Sequence, residues 1–168
     1  IAQAGFMMFS LFALSKMAYE GLVLYAAAYS LASIGIFAIL VKMKDYTIDG
    51  FNGLGKQQPL LAVTATIFLL SLTGIPATAG FQSKFYMLMA AVQTGHQIWL
   101  VIFAVLCAAI SAYYYFRIIQ AMFFKESNDE VALTEDVTPA FKVLLVITAF
   151  LILILGLFPE LLTNWLYY

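Results

Sequence analysis

The sequence predicts an all-α integral membrane protein: a bundle of about five transmembrane helices, of which the first is truncated and the third is discontinuous at residues 74–80. Composition is the first reason, because 64% of the 168 residues are hydrophobic, 10% are charged and the mean hydropathy is +0.97, values far from those of soluble domains. The second reason is that the apolar residues fall into long runs separated by charged connections. The third is a proline flanked by glycines inside one of those runs.

The same composition excludes several functional classes. The net charge is only −1 and the sequence has no basic patch interleaved with aromatic residues, so nucleic acid is not an expected partner. Cys107 is the only cysteine, which rules out an intrachain disulfide and argues against a cysteine-based metal site. No cysteine cluster, GxGxxG segment or haem ligand pair is found, so we expect no redox cofactor and no metal in this chain. The lipid bilayer is the expected surrounding.

Five segments can be measured against the roughly 20 apolar residues that cross a hydrocarbon core about 30 Å thick. They are residues 1–15, 21–43, 60–93, 98–124 and 141–157. The first begins at Ile1 without the basic flank or cleavage site of a signal peptide, so we expect a helix cut at its start and missing N-terminal helices of the same protein. The connections KMAYE, KMKDYTIDGFNGLGKQQP, TGHQ and KESNDEVALTEDVTPAFK carry most of the charge, and we expect His96 and the acidic last connection to be solvated. No repeat or linker divides this single multi-helix domain.

The distribution of Lys and Arg predicts the orientation in the membrane. Five crossings place alternate connections on opposite sides, and one side receives only Lys16. The other side receives Lys42, Lys44, Lys56, Arg117, Lys125 and Lys142. This basic side is expected to be cytoplasmic, and the C-terminus is then expected to face outward.

The third segment is too long to be one straight helix. Its 34 residues would span about 51 Å at 1.5 Å per residue, well beyond the hydrocarbon core. Pro76 lacks a backbone N–H and its ring clashes with the carbonyl of Leu72, while Ile75 is biased away from helical angles. Gly74 and Gly80 add backbone freedom on either side. We therefore expect residues 60–73 and 80–93 to form two half-helices, joined by unwound backbone that is buried in protein or lines a watery cavity.

Lys84 is the only charged residue between positions 57 and 116, and fixed charge at membrane depth usually marks function. It follows Gly80 by four residues, so we expect it near the N-terminus of the second half-helix, whose positive dipole end disfavours an ammonium. Burial disfavours the ammonium too, and a lysine under these influences can gain and lose a proton, which an arginine cannot. Hydroxyl and amide side chains nearby are candidates to hold water at the break: Thr73, Thr78, Gln82 and Ser83.

Several stretches of the chain resemble one known family. LSLTGIPATAGFQSKFYML resembles the LSLAGIPPTAGFxGKFY signature of the antiporter-like membrane subunits of respiratory complex I, the NADH-quinone oxidoreductase. IAQAGFMM resembles the family's S-I-A-H/Q-x-G-Y segment, GLGKQQPLLA resembles its GLGRRxPxLA loop, and AISAYYYFRII resembles the helix after the broken one. The chain departs from the family in three places. Ser83 replaces a common Gly, Ala77 replaces a common Pro, and Gln3 stands where many relatives have His.

The resemblance implies a function and a setting. The five segments would be the last five of fourteen helices, and the family's proton-translocating lysine falls on Lys84. It implies a non-redox subunit of a translocase in the bacterial inner membrane, with partners that include neighbouring antiporter-like subunits and other membrane subunits of the complex. Quinone, NADH, FMN and iron–sulfur clusters would all belong to other subunits.

Two alternatives remain open at this stage. The chain can be a subunit of a multi-subunit cation/proton antiporter of the sodium type, which shares the broken helix, although the flanking stretches favour the respiratory complex. It can also be a structural anchor that seals the bundle and does not pump. In that case Lys84 would snorkel or would pair permanently with a carboxylate in helices outside this sequence.

Overall fold

The computed structural model describes residues 2–95, 98–126 and 137–167, and helices are its regular elements. In chain order they are α1 (Ala2–Met7), α2 (Phe9–Ala13), α3 (Lys16–Val41), α4 (Leu54–Gln57), α5 (Pro59–Thr73), α6 (Ala79–Gln93), α7 (Ile98–Phe124), α8 (Pro139–Leu157) and α9 (Glu160–Thr163). Short 3-10 turns lie at Asp49–Phe51 and Asn164–Tyr167. By length and composition, α3, α7 and α8 can each cross a membrane. The predicted all-α membrane fold is confirmed.

His96 and most of the acidic connection lie outside the described residues.

The start of the chain differs from the expectation of one helix over residues 1–15. Two short helices, α1 and α2, meet at Met8, and the second ends at Leu14 with a left-handed φ of 44°. The Ser15 side chain then accepts a hydrogen bond from the Ala18 amide, which caps α3 at its first turn. Helix α3 therefore begins at Lys16, and the predicted KMAYE connection is helical instead of a loop. A favourable cap at Ser15 provides the physical reason.

Other helix starts are also determined by local chemistry. Pro59 and Pro139 each occupy the first turn of a helix, α5 and α8, where the missing N–H is not needed. The Thr138 hydroxyl accepts from the Phe141 amide and caps α8. Both helices thus begin one or two residues before the expected positions. Helix α9 and the final 3-10 turn, at the end of the described chain, were not expected from the sequence.

The core lies where α3 crosses the two half-helices. Gly35 of α3 packs against the ring of Phe68 on α5 so closely that a Cβ would lie 2.4 Å from the ring. Gly21, nearer the start of α3, meets Met87 of α6 in the same way, at 2.8 Å. Small residues on α3 let both half-helices approach its backbone, as helix packing in membranes requires. This fixes α5 and α6 relative to one another, whereas α7 and α8 turn mostly apolar, exposed faces outward.

Charged residues at the helix ends connect the α3–α5 loop to the end of α7. Lys125 lies 3.5 Å from Asp49, and Lys56 lies 3.7 Å from Glu126, all with well-exposed side chains. Such surface pairs contribute about 0–1 kcal/mol each. The Gly53 amide also donates to the Ala121 carbonyl, at 3.2 Å. The loop is therefore attached to α7 mainly through its backbone and its buried side chains Phe51 and Leu54.

Candidate functional site

The break between α5 and α6 is shorter than the seven residues expected. Helix α5 ends at Thr73, and Gly74 follows with a φ of +90°, its amide bonded to the Leu70 carbonyl at 2.9 Å. Helix α6 begins at Ala79, where the Thr78 hydroxyl accepts from the Phe81 amide. The unwound backbone is thus residues 74–78, and Gly80 belongs to α6. Each half-helix has 15 residues.

Pro76 leaves the carbonyl of Leu72 without its usual partner. In a continuous helix this carbonyl would accept from the amide four residues later, but that residue is Pro76, which has no N–H. The next nearest amide, that of Ile75, donates to the Leu70 carbonyl at 3.0 Å instead. The last carbonyls of a helix carry its negative dipole end. The break therefore presents an acceptor with partial negative charge inside the protein.

Lys84 fills this acceptor site. It is the sixth residue of α6, the residue is 6% exposed, and its Nζ donates to the carbonyl oxygens of Leu72 at 2.8 Å and Thr73 at 3.1 Å. Nζ also lies 4.8 Å from the centroid of the Phe6 ring, a cation–π distance. Two orphan carbonyls and one aromatic face hold the lysine head.

The expected electrostatics of Lys84 were wrong in one respect. We expected the N-terminus of the second half-helix to disfavour the ammonium, but Lys84 lies in the second turn of α6 and reaches back towards the break, as helical side chains do. Its head lies at the C-terminus of α5, and that helix end favours a cation. Burial therefore opposes the ammonium while the dipole of α5 supports it. Among the described residues, Lys84 has no carboxylate partner.

Two glycines make this approach possible. A Cβ on Gly80 would lie 1.9 Å from the Ser71 carbonyl oxygen, so α5 and α6 touch backbone to backbone there. The Gly80 amide donates to the Ser71 hydroxyl at 3.2 Å. A Cβ on Gly74 would lie 3.1 Å from Cδ of Lys84. Both glycines therefore help to form the lysine site. The expected reason was backbone freedom, and the structure adds that a Cβ at either position would lie unusually close to a neighbouring atom.

The hydroxyls that are candidates to hold water donate to nearby backbone carbonyls. Thr73 donates to the Leu69 carbonyl at 2.7 Å, Thr78 to that of Ile75 at 2.7 Å, and Ser83 to that of Ala79 at 2.8 Å. Pro76 is exposed and Gln82 is half-buried. Two of the predicted residues lie against Lys84. Thr73 accepts a hydrogen bond through its main-chain carbonyl, and Gly74 lies close to the lysine side chain. It does not bring the side chains of Thr73, Thr78, Ser83 or Gln82 into hydrogen bonds with the ammonium.

A second buried polar group joins the site from the opposite side. Gln3 of α1 donates from Nε2 to the Leu72 carbonyl at 3.1 Å and to the Tyr115 hydroxyl at 3.1 Å. The Tyr25 hydroxyl donates to Gln3 Oε1. In the sequence, Gln3 stands out only because many relatives in the resembling family have His there, and no motif places it, Tyr25 or Tyr115 in a site. A polar residue at depth in an apolar helix was the available signal.

Two cavities lie near the break, and of these two the larger is lined by Lys84 itself. One is about 10 Å³, roughly the space that admits a single water, and it is lined by Gln3, Tyr25, Tyr29, Ser71, Leu72 and Gly80 among others. The other is about 360 Å³, half open and mostly apolar, and its lining includes Lys84, Phe6, Gly74 and Phe81. The lysine head therefore has a polar side towards Gln3 and an open side towards α6 and α7. In the described ranges, no three His, Cys, Asp or Glu side chains come close enough to hold a metal ion.

This arrangement can exchange a proton without releasing the lysine. An ammonium has three N–H donors and a neutral amine has two. Two donors suffice for the carbonyls of Leu72 and Thr73, so either form can stay bonded to both. The remaining position of Nζ can carry or release the proton. A buried amine held in this way is suited to proton transfer.

Comparisons with known proteins agree with the fold. A family model described as NADH:quinone oxidoreductase/Mrp antiporter, TM, matches residues 1–111. The NADH-quinone oxidoreductase subunit N 1 of Solibacter usitatus is 38% identical over 164 residues, which are 95% of this chain and 34% of that protein. Subunit N of Flavobacterium psychrophilum is 40% identical over 166 residues, with 95% and 35% covered.

A solved structure shows the same architecture. A chain in the structure of respiratory complex I from Thermus thermophilus with bound aureothin superposes with a TM-score of 0.78 at 29% identity, covering 96% of this chain and 36% of that one. This chain thus spans about a third of the length of the curated relatives it matches.

Proposed function

Because this chain belongs to the NADH:quinone oxidoreductase/Mrp antiporter transmembrane family, we propose that it is part of a proton-translocating membrane subunit of an NADH-quinone oxidoreductase, in which Lys84 carries the proton. The observation that carries the proposal is the docking of a buried lysine, 6% exposed, on two helix-end carbonyls at 2.8 and 3.1 Å. A group used only for anchoring at a membrane surface would keep its head in water.

The proposed step is a proton exchange at Nζ. In the charged form, two N–H groups bond to the carbonyls of Leu72 and Thr73, and the third faces the remaining space beside the Phe6 ring. Transfer of that third proton to a water molecule in the adjoining cavity forms hydronium there and leaves an amine that keeps both carbonyl bonds. The negative end of α5 stabilises the ammonium and burial destabilises it, so the two influences oppose each other at Nζ. The free energy that drives the exchange comes from quinone reduction elsewhere in the complex.

The relatives support the host assembly that we propose. Relatives named as subunit N of NADH-quinone oxidoreductase favour the respiratory complex over a sodium-type antiporter as the host assembly. The partners are then the other membrane subunits of the complex, including neighbouring antiporter-like ones, together with the rest of the same subunit. NADH, FMN, iron–sulfur clusters and quinone are assigned to other subunits, and the membrane is the bacterial inner membrane with the C-terminus outside.

The test uses the full-length subunit in the assembled complex, in membrane vesicles that report proton uptake alongside quinone reduction. Lys84→Met keeps the length of the side chain and removes the proton carrier, so we expect pumping per electron to fall at least about tenfold, in line with the loss of a proton-transfer group. Lys84→Arg keeps the charge but cannot release the proton, and it should fail too. Lys56→Met, on a side chain that is 74% exposed, is the matched control.

Three results would distinguish the proposed function from its alternatives. Normal pumping by Lys84→Met in a fully assembled complex contradicts the proposal and leaves the chain as a structural anchor. Normal pumping by Lys84→Arg with failure of Lys84→Met shows that the charge alone is required. A host assembly that exchanges sodium for protons, without quinone reductase activity, favours the antiporter alternative.

A further inference from the structure

Gln3 and Lys84 share one acceptor atom. The Leu72 carbonyl oxygen accepts from Gln3 Nε2 at 3.1 Å and from Lys84 Nζ at 2.8 Å, which uses both of its lone pairs. The two donors come from α1 and α6, which lie about 80 residues apart in the sequence, and they meet at a carbonyl of α5. Since both bond to the same atom, their nitrogen atoms are at most about 6 Å apart.

Gln3 is itself held in one orientation. Its side chain is buried, with 8% of the residue exposed. A carbonyl can only accept, so the amide nitrogen must face Leu72, and the second N–H then donates to the Tyr115 hydroxyl at 3.1 Å. The Tyr25 hydroxyl donates to the amide oxygen from the other side. Helices α3 and α7 thus fix the direction in which α1 presents its donor to α5.

We propose that Gln3 is a positioning residue for Lys84. Gln3 donates to the Leu72 carbonyl and so holds this oxygen where the lysine ammonium binds. Tyr25 and Tyr115 hold the Gln3 side chain in the orientation that this requires. The reason that α5 needs outside help at this point is Pro76, which deprives the Leu72 carbonyl of a backbone partner. The positioning role rests on the geometry, and its consequence for pumping rests on the proposed function of Lys84.

The neutrality of Gln3 is part of the role. Glutamine has no proton to exchange in the physiological range, so it can orient the carbonyl without competing with Lys84 as a proton carrier. Glutamate at this position would offer the Leu72 carbonyl no donor while ionised. Methionine would fill the same space with no hydrogen bond. Histidine would keep one N–H donor and one acceptor nitrogen. These three replacements therefore separate shape from hydrogen bonding.

The experiment determines the structure and the pumping of the intact complex carrying Gln3→Met, Gln3→His or the control Thr64→Val. Thr64 is a suitable control because it is equally buried, at 4% exposure, and its hydroxyl bonds only to carbonyls of its own helix. In Gln3→Met we expect Lys84 Nζ to lie outside hydrogen-bonding distance of the Leu72 oxygen. A displacement of about 1 Å at a reacting group can cost a hundredfold in rate, so a loss of pumping per electron of at least tenfold is expected.

The conservative variant provides the specific readout. Gln3→His should keep Lys84 on the Leu72 carbonyl and restore most of the pumping, whereas a role in packing alone would favour the methionine variant, whose shape is closer. If Gln3→Met prevents assembly, Tyr115→Phe removes one hydroxyl that holds Gln3 and should displace the lysine head by less.

The outcomes are distinguishable from those for Lys84. Lys84 remaining on both carbonyls in Gln3→Met, or Gln3→Met pumping as well as Thr64→Val, overturns the positioning role. A displaced lysine head in Gln3→Met combined with normal pumping by Lys84→Met supports the positioning role and overturns the proposed function instead.

Discussion

Gly80→Ala tests the geometry of the site by adding a single methyl group. The new Cβ would lie 1.9 Å from the Ser71 carbonyl oxygen and 2.8 Å from the Ser71 carbonyl carbon, whereas ordinary contact begins at 3.4 Å. Both obstacles are backbone atoms of α5, so neither can rotate away. Helices α5 and α6 must therefore separate by about 1.5 Å at this point, and overpacking of this kind costs about 1–3 kcal/mol.

The separation acts directly on the lysine site, because Ser71 precedes the residues whose carbonyls hold Lys84. The two bonds now measure 2.8 and 3.1 Å, and an increase of about 1.5 Å takes both beyond the range of hydrogen bonds. The side chain can follow only in part, since its Cδ is packed against Gly74. We expect pumping per electron to fall about tenfold or more, while quinone reduction by the assembled complex changes less.

Gly5→Ala is the matched control, because a Cβ there meets nothing within 4 Å. Helix propensity alone favours alanine over glycine by about 1 kcal/mol at an interior position, so both substitutions would be harmless or stabilising if close approach did not matter. The assay is proton uptake in vesicles, normalised to quinone reduction and to the amount of assembled complex. Equal pumping by Gly80→Ala and Gly5→Ala would refute the reasoning that backbone contact between the half-helices holds the lysine site.

Three further substitutions address the break, the first long helix and the loop. Pro76→Ala returns an N–H that can reach the Leu72 carbonyl, so we expect it to compete with the lysine and lower pumping severalfold; a structure with the lysine head undisturbed would contradict this. Ser15→Ala removes an N-cap worth about 1 kcal/mol and should lower the thermal midpoint of the complex without changing the ratio of protons to electrons. Hydrogen bonds from the amide and hydroxyl of Thr47 lower the pKa of Asp45. The ionised Asp45 therefore stabilises the loop at pH values above the ordinary carboxyl pKa, and this stabilisation is lost as the pH falls through the lowered pKa. Thr47→Val should move that pKa back up, as carboxyl chemical shifts would show.

Local chemistry in the sequence was sufficient to predict the break and its lysine. Pro76 and Gly74 signal the end of α5 directly, and a single charge within a long apolar stretch identifies Lys84. The helix end that Lys84 contacts was not predictable in this way. Its bond to Leu72 joins residues twelve positions apart, and it depends on how tightly the chain turns between residues 74 and 78. The unwound segment is shorter than expected, and the expectation considered only the dipole of the lysine's own half-helix and not that of α5.

The partners across the bundle were beyond the reach of sequence patterns. Gln3 is 69 residues from Leu72 and 112 from Tyr115, and no periodicity or motif connects positions at such separations. The split of the first segment at Met8 and the left-handed Leu14 likewise lack a Gly or Pro signal. These features are decided by packing of α1 and α2 against α3, α6 and α7, so only a three-dimensional arrangement reveals them.

The lysine site is specified largely by what three residues lack. Pro76 lacks an N–H and so leaves the Leu72 carbonyl free for a side chain. Gly80 lacks a Cβ and so brings α6 against α5. Gly156 of α8 also lacks a Cβ, which would lie 2.4 Å from the carbonyl carbon of Thr78, and it thereby lets α8 press on the break from outside. The acceptors themselves are main-chain carbonyls, which any sequence provides. It follows that substitutions adding an atom at these positions should disturb Lys84 more than substitutions that alter the polar side chains of the break, whose hydroxyls bond only to their own backbone.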